Sequence, residues 1–278
     1  MRLPILLVDD VIRTALREDI NYLDTTTDYM IDEEQASTAQ FLAKADGVLC
    51  GMEIALRVFA LLGDFEVECY RQDGDRIHQG DVLARITGNT RLLLKGERTA
   101  LNLVQHLSGV ATETARCVAL VEGTRASIAD TRKTLPGLRA LQKYAVTCGG
   151  GKNHRFNLSD AAMLKDNHID AAGGIRPAVE KLRGYLGHTV KIEVETRDLT
   201  EVSQALEAGA DIIMLDNMDP DTMRQAVELV AGRALTEASG GITSDTLGPV
   251  AQTGVDIISI GALTHSVKAF DISLKIIK

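Results

Sequence analysis

Three arginines and three lysines fall within "RKTLPGLRALQKYAVTCGGGKNHR", residues 132–155, with no Asp or Glu among them. Extended to residue 165, the segment holds Arg132, Lys133, Arg139, Lys143, Lys152, Arg155 and Lys165 against one carboxylate, Asp160. The chain as a whole is acidic, with a net charge of −9. A solvated helix face normally mixes both signs. A purely cationic strip in an acidic chain points instead to a pocket for anions, where arginine supplies paired, planar donors to carboxylates and phosphates. The triple glycine at 149–151 lets the backbone turn sharply just ahead of His154 and Arg155.

Downstream, several short apolar runs end in polar residues. In "VKIEVE" the two-residue strand period puts Lys191, Glu193 and Glu195 on one face. "DIIMLD" puts Asp216 beside Ile212 and Met214, and "AAMLKD" puts Lys165 on the face of Met163. Buried ion pairs seldom repay their desolvation in stability, so a purely structural role explains these groups poorly. Two later runs end in "EASGGI" and "SIGAL", whose small residues let backbone N–H groups approach an anion. Carboxylates beside a phosphate site hold either Mg²⁺ or a pair of sugar hydroxyls. The ligands suggested are a sugar phosphate and a second, strongly anionic partner.

The elements that must position these groups repeat one unit of short apolar strand, loop and helix. The strands are "ASIAD", "AAMLKD", "VKIEVE", "DIIMLD", "ALTEAS" and "DIISIG". Such alternation means parallel β-structure with helices packed outside. No glycine-rich dinucleotide fingerprint follows the first strand, which favours a (β/α) barrel with its site at the C-terminal strand ends. Upstream, an opening helix carries Leu7, Val11 and Ala15 at helical spacing, and a β-rich segment with G-D turns covers 65–94. Gly96 marks a change, after which a helical pattern runs from Glu97 to Glu122.

The totals exclude several classes. With 278 residues, 45% hydrophobic and 25% charged, the chain can build a sizeable globular core. Its acidity argues against general nucleic-acid binding. The opening "MRLPILLVDD" is too short and too soon acidic for a signal peptide. "GVLCGMEIALRVFALLG" is interrupted by Glu53 and Arg57, so no membrane span is expected. Four cysteines without a C-x-x-C pair read as reduced, mostly buried thiols, and a cytoplasmic location is expected.

Taken together, the motifs resemble those of bacterial quinolinate phosphoribosyltransferases, enzymes of NAD biosynthesis. The resemblance runs nearly end to end, through "ERTALNLVQHLSG" (97–109), "DTRKTLPGLRALQKYAV" (130–146), "CGGGKNHRFNLSDAAMLKDNHI" (148–169), "KIEVE" (191–195), "IIMLDN" (212–217), "ASGGI" (238–242) and "ISIGALTH" (258–265). R-K-T-x-P-G-x-R, then G-G-G-x-N-H-R and K-D-N-H, at these separations is the specific part. The resemblance implies an α/β fold: an irregular, incomplete (β/α) barrel at 97–265 and an N-terminal α/β sandwich at 1–96, to which 266–278 returns. It implies transfer of phosphoribosyl from phosphoribosyl pyrophosphate (PRPP) to quinolinate with loss of CO₂, and Mg²⁺ as cofactor. It also implies a homodimer with shared active sites, further assembly being left open, and neither nucleic-acid nor membrane partners.

Carried over residue by residue, Arg132, His154, Arg155 and Lys165 match the quinolinate pocket, with Thr131 beside them. Arg98 matches an arginine that reaches the neighbouring subunit's site. Lys133 and Lys165 match lysines near the pyrophosphate and the reacting centre. Glu195 and Asp216 match the carboxylates that hold the ribose hydroxyls and, directly or through PRPP or water, the metal. Ser239, Gly240 and Gly241, with Ile260, Gly261 and Ala262, match the 5′-phosphate loops. The chain departs from the pattern at Leu135, where a second threonine is common, and at Leu23, usually glycine. ModD-type proteins share "TRKT-x-PG" and the fold but generally lack "KDNH" and "CGGG-x-NHR". Other readings of the residues are an aldolase using Lys165 or Lys191 as a Schiff base, and a metal hydrolase built on His154, Asp166 and His168.

Overall fold

The computed structural model describes residues 3–277. In chain order the elements begin with α1 (Ile5–Asp19), α2 (Thr27–Met30), β1 (Ala36–Ala43), β2 (Gly47–Val48), α3 (Met52–Ala60) and β3 (Phe65–Cys69). There follow β4 (Arg76–Ile77), β5 (Val82–Asn89), α4 (Thr90–Leu120), β6 (Ser127–Ala129), α5 (Arg139–Cys148) and β7 (Ala162–Leu164). Next come α6 (Asp166–Ala172), α7 (Ile175–Tyr185), β8 (Ile192–Thr196), α8 (Leu199–Glu207), β9 (Ile212–Asp216) and α9 (Pro220–Val230). The last are β10 (Leu235–Ser239), α10 (Ser244–Ala251), β11 (Ile257–Ser259), α11 (Ala262–His265) and β12 (Ile272–Ile277).

The chain forms two compact units. Among the described residues, the first comprises 3–115, 134–150 and 263–277. Its main sheet is antiparallel in the order β12-β1-β5-β3, so the C-terminal strand pairs with β1, with Phe41 opposite Leu274. Phe41 and Phe59 meet edge-on in its core, with ring centroids 6.3 Å apart. On α1 the buried stripe is Val8, Ile12 and Leu16, one position on from the expected Leu7, Val11 and Ala15. Leu7 is 49% exposed, because the helix turns the denser apolar row toward α3 and leaves Ile5, Leu6 and Leu7 outward. Helix α4 starts at Thr90, seven residues before the expected start, and Gly96 lies inside it. Glycine serves close approach here rather than a break: a Cβ at Gly96 would stand 2.6 Å from the Phe59 ring.

The second unit comprises residues 116–133 and 151–262. All six expected strands form, in a parallel sheet ordered β6-β11-β10-β9-β8-β7. Strands β7 to β11 wind in sequence and β6 joins at β11, with no ladder between β6 and β7 among the described residues. Beside β6 the chain at Lys152 makes one parallel bridge to Ala129, donating its N–H to Ile128 at 2.8 Å and accepting from Asp130 at 3.1 Å. The result is the expected irregular, incomplete barrel.

Candidate active site

A cavity of about 560 Å³ lies at the C-terminal ends of these strands. Strand periodicity builds its wall. Met163 and Lys165 on β7 and the residue after it, Glu195 on β8, Met214 and Asp216 on β9, and Glu237 and Ser239 on β10 all face it. Register sets the layers: Glu195 lies opposite Met214, Met214 opposite Glu237, and Asp216 opposite Ser239. Thr131, Arg132 and Lys133 enter from the loop after β6, and His154 and Arg155 from the turn after the glycines.

That turn is fixed from below. Asp130, fully buried at the end of β6, accepts the His154 N–H at 2.8 Å and the Asn153 Nδ2 at 2.6 Å. His154 then points Nε2 between two buried carboxylates, Glu193 Oε2 at 3.1 Å and Glu237 Oε1 at 3.4 Å. The Arg155 N–H approaches Nδ1 at 2.7 Å, which favours a neutral ring. Two buried charges outweigh one neutral hydrogen bond. Burial lowers the His154 pKa, but the hydrogen bonds to Glu193 and Glu237 overcome it and raise the value to about 10. Glu193 moves upward too, through burial first, with His154 pulling the other way.

The cations are oriented by local contacts. Arg155 donates to the Ala161 carbonyl at 3.0 Å and to Met163 Sδ at 3.5 Å. Burial and then the nearby Arg132 guanidinium lower its pKa. Lys165 is the N-cap of α6, and its backbone N–H donates to His168 Nδ1 at 3.1 Å. This gives "KDNH" a physical purpose, since His168 holds the turn that presents Lys165. The Lys165 ammonium meets Glu195 at 2.6 Å.

The cavity wall after β9 and β10 is built on left-handed backbone. Asn217 adopts φ 53° and donates its carboxamide N–H to Asp216 at 2.8 Å. Gly240 has φ 96°, and a Cβ there would run into the Asn217 carboxamide. Gly240→Ala should therefore destabilise the protein by roughly 1–2 kcal/mol for a left-handed non-glycine residue, the displaced Asn217 adding to it. Urea unfolding of variant and parent would check this, and unchanged stability would show that the turn accepts a side chain.

Of the expected residues, Thr131, Arg132, Lys133, His154, Arg155, Lys165, Glu195, Asp216, Ser239, Gly240 and Gly241 meet at this cavity. Ile260, Gly261 and Ala262 do not line it; Ser259, one residue earlier, does. Arg98 belongs to the first unit, exposed on α4. Lys191 precedes β8 and is exposed rather than facing inward. The cationic strip is divided: Arg139 and Lys143 lie in the first unit, Lys143 fully buried on α5. Glu237, Asn217 and Asp130 were not anticipated. Glu237 was legible, standing two residues before Ser239 as Glu193 stands two before Glu195.

Comparison with known proteins identifies the family and the fold. The quinolinate phosphoribosyl transferase N-terminal domain matches residues 24–108, and the C-terminal domain of the same family matches residues 110–275. A probable nicotinate-nucleotide pyrophosphorylase [carboxylating] of Bacillus subtilis is 46% identical over 93% of this chain and 90% of its own length. The chloroplastic nicotinate-nucleotide pyrophosphorylase [carboxylating] of Arabidopsis thaliana is 44% identical over 96% of this chain and 82% of its own. The crystal structure of NadC from Streptococcus pyogenes superposes with a TM-score of 0.96 at 42% identity, covering 100% of both chains. Fold, cavity lining and these similarities converge: the chain belongs to the quinolinate phosphoribosyltransferase family.

Proposed function

We propose that this chain joins quinolinate to PRPP, releasing pyrophosphate and CO₂ and leaving nicotinate mononucleotide for NAD biosynthesis. The observation that carries this reading is the meeting of Arg132 and Arg155 at one cavity, where burial and then Arg132 lower the Arg155 pKa. Two half-buried guanidiniums at one cavity form a site that attracts an anion, and a dicarboxylate supplies one charge for each. The test is purified protein with both substrates, analysed for nicotinate mononucleotide. Absence of that product would refute the proposal.

The residues divide the work. Arg132, His154, Arg155 and Lys165 receive the quinolinate carboxylates, while Lys133 faces the pyrophosphate. Ser239, Gly240 and Gly241 take the 5′-phosphate, and we extend this cradle to Ile260, Gly261 and Ala262 after β11. Glu195 and Asp216 accept the ribose hydroxyls and favour positive charge at C1 as pyrophosphate departs. The pyridine nitrogen attacks C1 as the bond to pyrophosphate breaks; the 2-carboxylate then leaves as CO₂, its electron pair stays on C2 beside the stabilising N⁺, and C2 takes a proton from water. No covalent enzyme intermediate is required.

The carboxylate oxygens of Glu195 and Asp216 suit Mg²⁺, a hard cation that is usually completed by waters and substrate phosphates. These two residues would hold it, and bound there it would neutralise the leaving pyrophosphate. Asp216→Asn should weaken Mg²⁺-dependent PRPP binding about tenfold or more, a charged hydrogen-bonding partner being worth roughly 1.5–3 kcal/mol. Calorimetry with and without Mg²⁺ reads this without turnover; equal affinities in variant and parent would remove Asp216 from the metal's site.

We assign Arg98 to the active site of a second copy in a homodimer, and the chain to the cytoplasm. No helix among the described residues is long and apolar enough to cross a membrane. Arg98→Ala mixed with Lys165→Ala should recover up to about a quarter of parental activity, because mixed dimers hold one intact shared site. No recovery on mixing would place Arg98 in its own chain's site.

A further inference from the structure

In the first unit, among residues that do not line this cavity, Cys50, Asp73 and Cys148 bring their Sγ and carboxylate oxygen atoms within 4.8 Å of one another. The two thiols come from distant segments, Cys50 just before α3 and Cys148 at the end of α5. Ser108 holds Cys50 on both sides, accepting its N–H at 3.0 Å and donating to its carbonyl at 3.1 Å. Asp73 is equally fixed, with Oδ1 accepting the Met52 N–H at 2.9 Å and Oδ2 accepting the Tyr144 hydroxyl at 2.9 Å. Cys50 is fully buried, whereas Cys148 is half-buried.

We propose that Cys50 and Cys148 form a peroxide-oxidisable dithiol, with Cys148 as the attacking sulfur and Cys50 as the resolving one. The arrangement fits: two sulfurs already within 4.8 Å, one reachable from solvent and one held in the core. In the first step the Cys148 thiolate attacks one oxygen of hydrogen peroxide. The O–O bond breaks, the departing hydroxide takes a proton and leaves as water, and Cys148 becomes a sulfenic acid. In the second step the Cys50 sulfur, giving up its proton, attacks the Cys148 sulfur. The S–O bond breaks, a second water leaves, and the disulfide forms. The two thiols thus lose two electrons and the peroxide is reduced to two waters. The electrostatics follow the same division of labour: the hydrogen bond from the Cys50 thiol leads in lowering the Cys148 pKa, against burial and the Asp73 carboxylate, while burial raises that of Cys50. The closed pair would tie α5 to the segment before α3, at the point where the chain enters the glycines leading to His154 and Arg155.

The experiment is thiol counting on the reduced full-length protein, denatured before and after exposure to hydrogen peroxide. The count should fall from four to two, peptide mapping should recover the Cys50–Cys148 link, and dithiothreitol should restore all four. Cys148→Ser, at a half-buried position, should keep its remaining three thiols, and Cys69→Ser, at an exposed one, should still lose two. Four thiols persisting in the parent, or a loss traced to Cys69 or to unlinked, over-oxidised Cys148, would overturn the proposal.

Discussion

Replacing His154 with alanine should destabilise the protein by about 3–5 kcal/mol near neutral pH, the range for removing one partner of a buried ionic group. Glu193 and Glu237 are 2% and 1% exposed, and both direct an oxygen at His154 Nε2. Without the ring, two like charges face each other away from water. The pH dependence has a definite sign. The folded pKa of His154 is raised from 6.5 to about 10, so its stabilisation is complete below 6.5 and is lost as pH climbs toward 10. Glu193 is also raised, chiefly by burial, and losing His154 removes an influence that lowers it. The variant therefore recovers as acid protonates Glu193, and the gap between variant and parent is widest near pH 6.5. Urea unfolding of both proteins across this range would measure it. Adding Glu193→Gln to the variant should restore part of the loss. A gap below about 1 kcal/mol, the value typical of a surface pair, would show that the three groups do not form a buried charged cluster.

Replacing Arg155 with alanine should raise the quinolinate KM about 10- to 100-fold and leave the PRPP KM within a small factor, since each charge-assisted hydrogen bond contributes roughly 1.5–3 kcal/mol. Its guanidinium is already aimed by Ala161 and Met163, so no reorganisation precedes binding. Lysine should rescue little, because a single ammonium cannot reproduce the planar paired donors. Initial rates with each substrate varied separately would distinguish the outcomes. An equal rise in both KM values would mean that Arg155 supports the cavity as a whole rather than holding the dicarboxylate.

Much of the second unit was readable because a parallel strand writes its inward face every second residue. Met163 and Lys165, Glu193 and Glu195, and Met214 and Asp216 could be paired on this rule alone. Lys191 obeyed the same rule on paper, yet β8 starts only at Ile192 and leaves it outside. Glu237 follows the same period, but the glycines two and three residues after Ala238 carry the stronger local signal. Asp130 and His168 act through the backbone of His154 and Lys165, which side-chain chemistry in a sequence does not announce. In the first unit the α1 stripe slipped by one residue because two adjacent apolar rows compete there, and only packing decides between them. Gly96 illustrates a related limit: a glycine that admits a phenylalanine ring into a helix surface looks, in sequence, like one that ends a segment. The almost uniform charge of the 132–165 strip likewise concealed its division between two units.

On this proposal the cavity is built for two carboxylates, one of which is lost. The most direct test gives the purified protein PRPP and Mg²⁺ with quinolinate or nicotinate in parallel, following mononucleotide and CO₂ together. The cavity predicts nicotinate mononucleotide and CO₂ in equal amounts from quinolinate, and no comparable product from nicotinate. Equal turnover of the two acids, or mononucleotide formed without CO₂, would contradict it.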